Sequence, residues 1–120
     1  MGQTISQVNN NDKSITILDY TNCNFTELHK RIEEVMAWML KQPKDSLFTL
    51  SDFSGVSFNK DILEAFKKLA LHNKPFVKVG AVVGIQGLQK IAYNTIMTFS
   101  RRNMPAFNTR DEAIDWIVKQ

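Results

Sequence analysis

The sequence predicts an α/β fold, in which helices pack against a mostly parallel sheet with an antiparallel N-terminal edge strand. Two observations lead to this prediction. Short segments rich in β-branched and aromatic residues alternate with longer segments whose apolar residues recur at three and four positions. The segments predicted to be inner strands are also strongly apolar, as parallel strands covered on both faces are. The predicted order is β-βα-βα-βα-βα, with right-handed crossovers between the parallel strands.

The N-terminal segment has the pattern of a β-hairpin followed by a helix. Gln3 to Val8 is polar enough for an edge strand, Asn9 to Asp12 is rich in turn-forming residues, and Ser14 to Tyr20 is a more apolar inner strand. Asn24 and Glu27 have the spacing of a capping box, which predicts that the first helix starts there. The predicted core stripe of this helix consists of Phe25, Leu28, Ile32, Val35, Met36 and Met39.

A central strand then leads into the second helix without a spacer. Leu47 to Phe53 is apolar and β-favouring, and a Ser-Gly pair ends the strand. Ser57 or Asn59 can cap the helix, and Asp61 falls in its first turn, where the helix dipole favours negative charge. The predicted buried face consists of Ile62, Leu63, Phe66, Leu69 and Ala70.

The remaining elements repeat this arrangement. Val77 to Val83 is an apolar strand, and Gly84 and Gly87 flank a tight turn into the third helix. The predicted core stripe of that helix is Leu88, Ile91, Ala92, Thr95, Ile96 and Phe99. Three large side chains lie outside these stripes, namely Tyr93 and Met97 on the third helix and Trp38 on the first. They could form an interaction patch or could be partly covered side chains at the boundary of a helix. Met104 to Phe107 is a short last strand, and a capping box starts the final helix, with the apolar face Ala113, Ile114, Ile117 and Val118.

Composition favours one globular domain spanning residues 1–120. Hydrophobic residues make up 43% of the 120 residues and charged residues 22%, which is the range of globular proteins. The net charge of +3 is spread along the helices rather than gathered in one block, so we expect no binding to nucleic acid. Cys23 is the single cysteine, so no intramolecular disulfide can form, and this suits a reducing compartment.

No segment has the length of a membrane span or the apolar core of a signal peptide, so we expect a soluble, cytoplasmic protein. Met1-Gly2 followed by Ser6 matches the loose pattern for N-myristoylation. No cluster of basic residues follows to supply the second membrane signal that stable binding needs. We therefore expect no stable membrane anchoring.

The residues that could carry chemistry are scattered. The Gly84 to Gly87 turn lacks the spacing of a dinucleotide fingerprint and the Lys-Ser/Thr pair of a phosphate loop. Asp19 and Asp52 both end strands, but Asp52 is better explained as a turn acceptor than as part of a magnesium site. His29 and His72 have no metal-ligand spacing. We expect no catalytic residue, no metal and no cofactor.

The order of elements and the segment from Asp52 to Phe58, DFSGVSF, resemble the STAS family, typified by anti-sigma-factor antagonists such as SpoIIAA. The resemblance extends from about Ile15 to Lys119. The closing part, with AVVG at 81–84 and DEAIDW at 111–116, is most similar to the SpoIIAA-like (STAS/SEC14-like) bacterial proteins. In the antagonists this segment continues into Asp-Ser-Ser-Gly, and the second serine is the phosphorylated switch. Ile62 stands at that position here, so the usual phosphoacceptor is absent.

The resemblance implies a non-enzymatic protein-binding or regulatory module that meets a protein partner where the central strand ends and the second helix starts. The implied contact surface consists of Phe53, Ser54, Gly55, Val56, Ser57, Phe58, Asn59, Lys60 and Asp61. A carrier or sensor of a small apolar ligand, as the SEC14-like proteins suggest, is the alternative, and an uncharacterised enzyme is a further one. Asp61 could imitate a permanently set switch, and a homodimer also stays open.

Overall fold

The computed structural model describes residues 3–120. Met1 and Gly2, which carry the N-terminal acylation pattern, lie outside the described residues. Helices and strands follow one another in the predicted order. Their bounds are β1 Ile5–Asn10, β2 Lys13–Asp19, α1 Phe25–Met39, β3 Leu47–Asp52, α2 Lys60–Asn73, β4 Val77–Val83, α3 Gln89–Ser100, β5 Ala106–Phe107 and α4 Arg110–Val118.

The strands form one sheet in the order β1-β2-β3-β4-β5. β1 runs antiparallel to β2, and the other neighbouring pairs are parallel, which confirms the predicted fold class. The β1–β2 turn consists of Asn11 and Asp12, both in the left-handed region with φ of 49° and 65°. Asparagine and aspartate tolerate this conformation, and two such residues make the turn whose twist suits a hairpin.

Helices cover both faces of the sheet. α1, α2 and α3 pack on one face, where Leu18 and Val82 belong to the core cluster. α4 packs on the other face, where Ile17, Leu50 and Ala113 belong to a second cluster. The alternation arises because successive side chains of a strand point to opposite faces. β3 is therefore buried from both sides.

The predicted faces of α1 and α2 are largely correct. Leu28, Ile32, Val35 and Met39 are buried on α1, and the capping box between Asn24 and Glu27 is formed. Phe25 was predicted to join this stripe but is 41% exposed. On α2 the buried apolar residues are Ile62, Phe66, Leu69 and Ala70, and the capping side chain is that of Asn59.

The predicted core stripe of α3 is wrong. Leu88, Ile91 and Phe99 are 85%, 68% and 47% exposed, although Ile96 is buried as predicted. The inner face instead carries Tyr93 and Met97, which pack against the core and are thus partly covered side chains, as is Trp38. α3 is apolar along two lines, so periodicity alone could not decide which line faces the sheet. In the structure, the line with Tyr93, Ile96 and Met97 packs against the core, and the line with Leu88, Ile91 and Phe99 faces outwards.

Candidate functional site

Three loops meet at the carboxyl edge of the sheet. They follow β2, β3 and β4, and backbone hydrogen bonds connect the middle loop to the first loop and to the end of β4. The Asn22 amide donates to the Ser54 carbonyl at 2.8 Å, and the Phe53 amide donates to the Val83 carbonyl at 2.9 Å. The loop that contains the predicted contact surface therefore lies between two others and is held by the first loop and by the end of β4.

Two glycines allow the loops to approach this closely. Gly55 and Gly84 have φ of +73° and +86°, where side chains are strained. A Cβ atom on Gly84 would lie 2.5 Å from the Ser54 nitrogen, and a Cβ on Gly55 would lie 1.9 Å from Asn22 Oδ1. Gly84 therefore lets the loop after β4 pack against the loop after β3.

The Gly84 to Gly87 turn does not present a free amide as a phosphate loop does. The Gln86 amide, which a phosphate loop would offer to a ligand, donates to the Gln89 side chain instead at 2.9 Å.

The structure divides the predicted contact residues between anchors and an exposed surface. Phe53 and Val56 are buried, and Ser54 and Phe58 are half-buried. The remaining residues of the segment are exposed, namely Gly55, Ser57, Asn59, Lys60 and Asp61. They lie on one loop and the first turn of α2, so they form a continuous surface. The structure brings the predicted residues together, and only part of the set can contact a partner.

Aromatic packing anchors this loop from below. The rings of Phe53 and Tyr20 stack with centroids 5.3 Å apart, and Phe66 meets the Phe53 ring edge-on at 5.2 Å. Phe58 lies 5.7 Å from the Phe66 ring. Such pairs stabilise a fold by about 0.5 to 1.5 kcal/mol beyond their buried area. The loop is therefore fixed against α2 and the end of β2.

A partly buried ion-pair cluster joins α4 to the same edge. Arg110 Nε lies 2.7 Å from Asp52 Oδ2, and Arg110 Nη2 lies 3.3 Å from Asp19 Oδ2. Asp52 Oδ1 accepts a hydrogen bond from the Ser54 amide at 2.9 Å, which is the turn role predicted for it. Arg110 was not foreseen, because it lies 58 residues from Asp52 along the chain and nothing local connects them.

Burial and neighbouring groups shift the pKa of Asp19 in opposite directions. Partial burial raises its pKa, but hydrogen bonds from Thr21 and the charge of Arg110 outweigh burial and lower the pKa below its ordinary value. The same carboxylates favour the charged form of Arg110, whose pKa is raised although burial works to lower it. The charged forms of Asp19 and Arg110 are thus both favoured.

Gln89 is a second residue that the sequence did not indicate. Its Nε2 donates to the carbonyl oxygens of Val56 and Phe53, while its Oε1 accepts from the amide of Gln86. The side chain therefore ties the first turn of α3 to the candidate loop. The role of Gln89 could not be predicted from the sequence, because each of its partners except Gln86 is more than thirty residues away along the chain.

A small cavity lies between α2, α3 and the sheet. Its volume is about 40 Å³, and its lining is mainly apolar. Among the described residues, the Tyr20 hydroxyl has no hydrogen-bond partner, and burial raises its pKa. Burial also raises the pKa of Tyr93 to about 12, and the Tyr93 hydroxyl donates to the carbonyl of Met104. Burial lowers the pKa of Arg102, which donates to the Ala70 carbonyl at 3.2 Å.

The other candidate groups show no reactive arrangement. Cys23 is buried, and burial raises the pKa of its thiol, so the helix dipole does not activate it. Within residues 3–120, no group of three His, Cys, Asp or Glu side chains could hold a metal ion. In the same range, no helix combines the length and the apolar character needed to cross a bilayer.

Comparison with known proteins assigns the architecture to the STAS/SpoIIAA-like fold. An uncharacterised protein of the DUF3478 family from Shewanella loihica PV-4, described as having a SpoIIAA-like fold, superposes with a TM-score of 0.70 and 16% identity, over 94% of this chain and 91% of that one. An anti-sigma-factor antagonist (STAS) domain protein from Planctomyces limnophilus superposes with a TM-score of 0.63 and 16% identity, over 95% and 97%. No protein-family model and no curated protein sequence matches the chain.

Proposed function

We propose that this protein is a non-enzymatic protein-binding module that contacts its partner through Phe53–Asp61. The observation that carries the proposal is the division of this segment into buried anchors and an exposed surface. Neighbouring loops, the aromatic rings and Gln89 hold the backbone, so binding costs little additional ordering. The name of the Planctomyces limnophilus protein, an anti-sigma-factor antagonist, supports a protein as the class of partner.

Phosphorylation at the usual switch position plays no part in this proposal. The residue at that position, Ile62, has no hydroxyl, and its side chain is fully buried. Asp61 is exposed in the first turn of α2 and provides a fixed negative charge beside it. We therefore propose that the module binds its partner without a phosphoserine switch.

The polar groups of the cavity support a non-enzymatic role. An acid or base catalyst works best with a pKa near the operating pH. Burial shifts the pKa of Tyr20 and of Tyr93 upwards, away from neutrality. Within residues 3–120, Arg102 donates to the Ala70 carbonyl and to the Met104 sulfur, and neither partner is a carboxylate.

Surface variants test this proposal in a partner-capture experiment. Wild-type protein, the double variant Ser57→Arg/Lys60→Glu, and Lys44→Glu serve as baits for affinity purification and mass spectrometry from the native host. Ser57 and Lys60 are exposed on the candidate surface, whereas Lys44 is exposed on the loop before β3, at the opposite edge of the sheet. We expect a protein that the wild type and Lys44→Glu retain and that the double variant loses. Equal retention by all three baits contradicts the proposed surface.

The cavity supports a second candidate function, a carrier or sensor of a small apolar ligand. Its apolar lining and the unpartnered Tyr20 hydroxyl suit a ligand with one polar group. A volume of about 40 Å³ holds roughly two to four water molecules, so a larger ligand requires α3 to move. Solvent extraction of natively purified protein, followed by mass spectrometry, tests this function. A ligand present in the wild type and absent from the cavity-filling variant Ile96→Trp supports it, and identical extracts contradict it.

A further inference from the structure

The outward face of α3 carries a largely apolar line of exposed side chains, of which only Phe99 makes a ring contact among the described residues, with Lys67. We name Leu88, Ile91, Thr95 and Phe99 the outer α3 stripe. Their spacings of three, four and four residues place them along one side of the helix. Leu88 and Ile91, at 85% and 68%, are more exposed than the other large apolar side chains of the described residues. A contiguous exposed apolar surface of this kind is typical of an interaction site.

Shallow grooves lie beside the stripe. One, of about 430 Å³, lies between Val56, Phe58 and Leu88, and it joins the stripe to the proposed contact segment. The other, of about 520 Å³, lies between Lys67 of α2 and the residues Ile91 and Phe99. An apolar line flanked by grooves accepts the side chains of a second helix, which pack as ridges into grooves.

The charges around the stripe are mainly positive. α3 contains no acidic residue, Lys90 lies in its first turn, and Arg101 follows its last residue. Lys67 Nζ lies 4.5 Å from the centroid of the Phe99 ring and also pairs with Glu64 at 2.8 Å. In the part of the chain that the structure describes, no side chain caps the N-terminus of α3, so the positive end of the helix dipole adds to this field.

We propose that the outer α3 stripe, together with the groove at Val56 and Phe58, binds an amphipathic helix of a partner protein whose apolar residues are flanked by acidic ones. This rests on the proposed protein-binding function and names the partner's chemistry. From Leu88 to Phe99 the stripe is roughly 17 Å long, which a partner helix of about three turns covers. The acidic flanks meet Lys67, Lys90 and the N-terminus of α3.

Charge and shape disfavour two other occupants. A second copy of this chain, packed stripe to stripe, would bring the basic residues around one stripe, Lys67, Lys90 and Arg101, close to those around the other, and like charges at an interface are unfavourable. A membrane surface needs a broad apolar face that projects outwards. The inner face of α3 is occupied by the core, so only the narrow outer α3 stripe, which lines both grooves, is available.

Designed peptides test the proposal directly. The probe is a helical peptide of about 16 residues with leucines at helical spacing and glutamates on both flanks. A second peptide replaces each glutamate by lysine. Both are titrated into ¹⁵N-labelled protein and followed by NMR. We expect the acidic peptide to shift the amides of residues 56–58 and 88–99, and the basic peptide to bind at least about tenfold more weakly.

A matched pair of variants locates the binding. Ile91 and Leu40 are 68% and 67% exposed, and Leu40 lies at the C-terminus of α1, outside the stripe. Ile91→Asp should weaken binding of the acidic peptide about tenfold or more, and Leu40→Asp should leave it unchanged. Circular dichroism confirms that both variants remain folded. Equal effects of the two variants, amide shifts confined to other faces, or equal binding of both peptides overturn the proposal.

Further measurements separate the alternatives. Flotation with phosphatidylglycerol vesicles that Ile91→Asp abolishes, without binding of the acidic peptide, assigns the stripe to membranes and overturns the proposal. A dimer in sedimentation that Ile91→Asp dissociates overturns it in favour of a second copy. If Ser57→Arg/Lys60→Glu loses a captured partner that Ile91→Asp retains, the inference fails while the proposed function stands. If the partner is lost by Ile91→Asp and retained by the double variant, the proposed contact segment fails instead.

Discussion

Replacing Arg110 by methionine should destabilise the fold and loosen the candidate loop. The substitution keeps an aliphatic side chain of similar length and removes the charge that Asp52 and Asp19 share. The Asp52 side chain is 7% exposed, so its carboxylate would remain buried without a cation. Asp52 also accepts the Ser54 amide, so the disturbance should reach the start of the proposed contact segment.

The structure sets the expected size of this loss. Removing one partner of a fully buried ion pair costs about 3 to 5 kcal/mol, whereas an exposed pair contributes less than about 1 kcal/mol. Arg110 is 41% exposed and Asp19 is 24% exposed, so water screens part of the cluster. Asp52 also keeps its hydrogen bond from the Ser54 amide. We therefore expect Arg110→Met to lower the free energy of unfolding by about 1 to 3 kcal/mol.

Urea denaturation followed by circular dichroism measures this loss. Lys67→Met is the matched control, because it removes a lysine whose ion-pair partner Glu64 is 54% exposed, and we expect it to destabilise the fold less than Arg110→Met does. NMR spectra of Arg110→Met should also show shifted amides at Phe53 and Ser54. A loss for Arg110→Met no greater than that of the control would refute the argument that this cluster stabilises the carboxyl edge.

Four further predictions concern separate parts of the fold. Because the pKa of Asp19 is lowered in the folded state, its contribution to stability is present above the unfolded pKa and should be lost as the pH falls below about 4. Melting temperatures measured across this pH range should show the loss of stability. In Asp19→Asn the melting temperature should depend less on pH. Leu50→Ala should cost about 2 to 5 kcal/mol in chemical denaturation, since Leu50 is fully buried; a loss below roughly 1 kcal/mol would contradict a core position. Gly84→Ala should destabilise more than Gly87→Ala, because both positions have positive φ but only at Gly84 would the new Cβ meet backbone; equal melting temperatures would exclude this close approach. Asp61→Asn should cost about 0.3 to 1 kcal/mol through the helix dipole; if Asp61 imitates a switch, titration calorimetry with a captured partner should show a change of Kd well beyond this loss, and equal Kd values for wild type and variant contradict the switch.

Local patterns were sufficient for most of the secondary structure. The capping box at Asn24 forms as predicted, because both of its partners lie within four residues. At Thr109 the side chain caps the helix by accepting from the Glu112 amide, but the Glu112 carboxylate accepts from the Thr109 hydroxyl and the predicted box is only half formed. The faces of α1 and α2 were predictable because each helix has one clearly apolar side. The last strand was predicted too long, at Met104 to Phe107, and pairs with β4 only at Ala106 and Phe107. Pro105 has no amide hydrogen and cannot donate to a neighbouring strand.

The candidate site, too, could be predicted from the sequence only in part. The segment Phe53–Asp61 could be located from sequence because a strand, a turn and a helix start follow each other within a few residues. The anchoring role of Phe53 and Val56 could not, because burial depends on Tyr20, Phe66 and Gln89, which come from other elements.

By itself, the sequence determined the order of elements, the mostly parallel sheet and the strand-to-helix segment at its carboxyl edge. These depend on interactions between near neighbours and on the periodic burial of apolar residues. The tertiary structure alone decided that Arg110 bridges two strand ends and that Leu88, Ile91 and Phe99 face outwards. Both outcomes depend on contacts between residues far apart in the chain, and no local pattern of charge or hydropathy records which distant surface a side chain will meet.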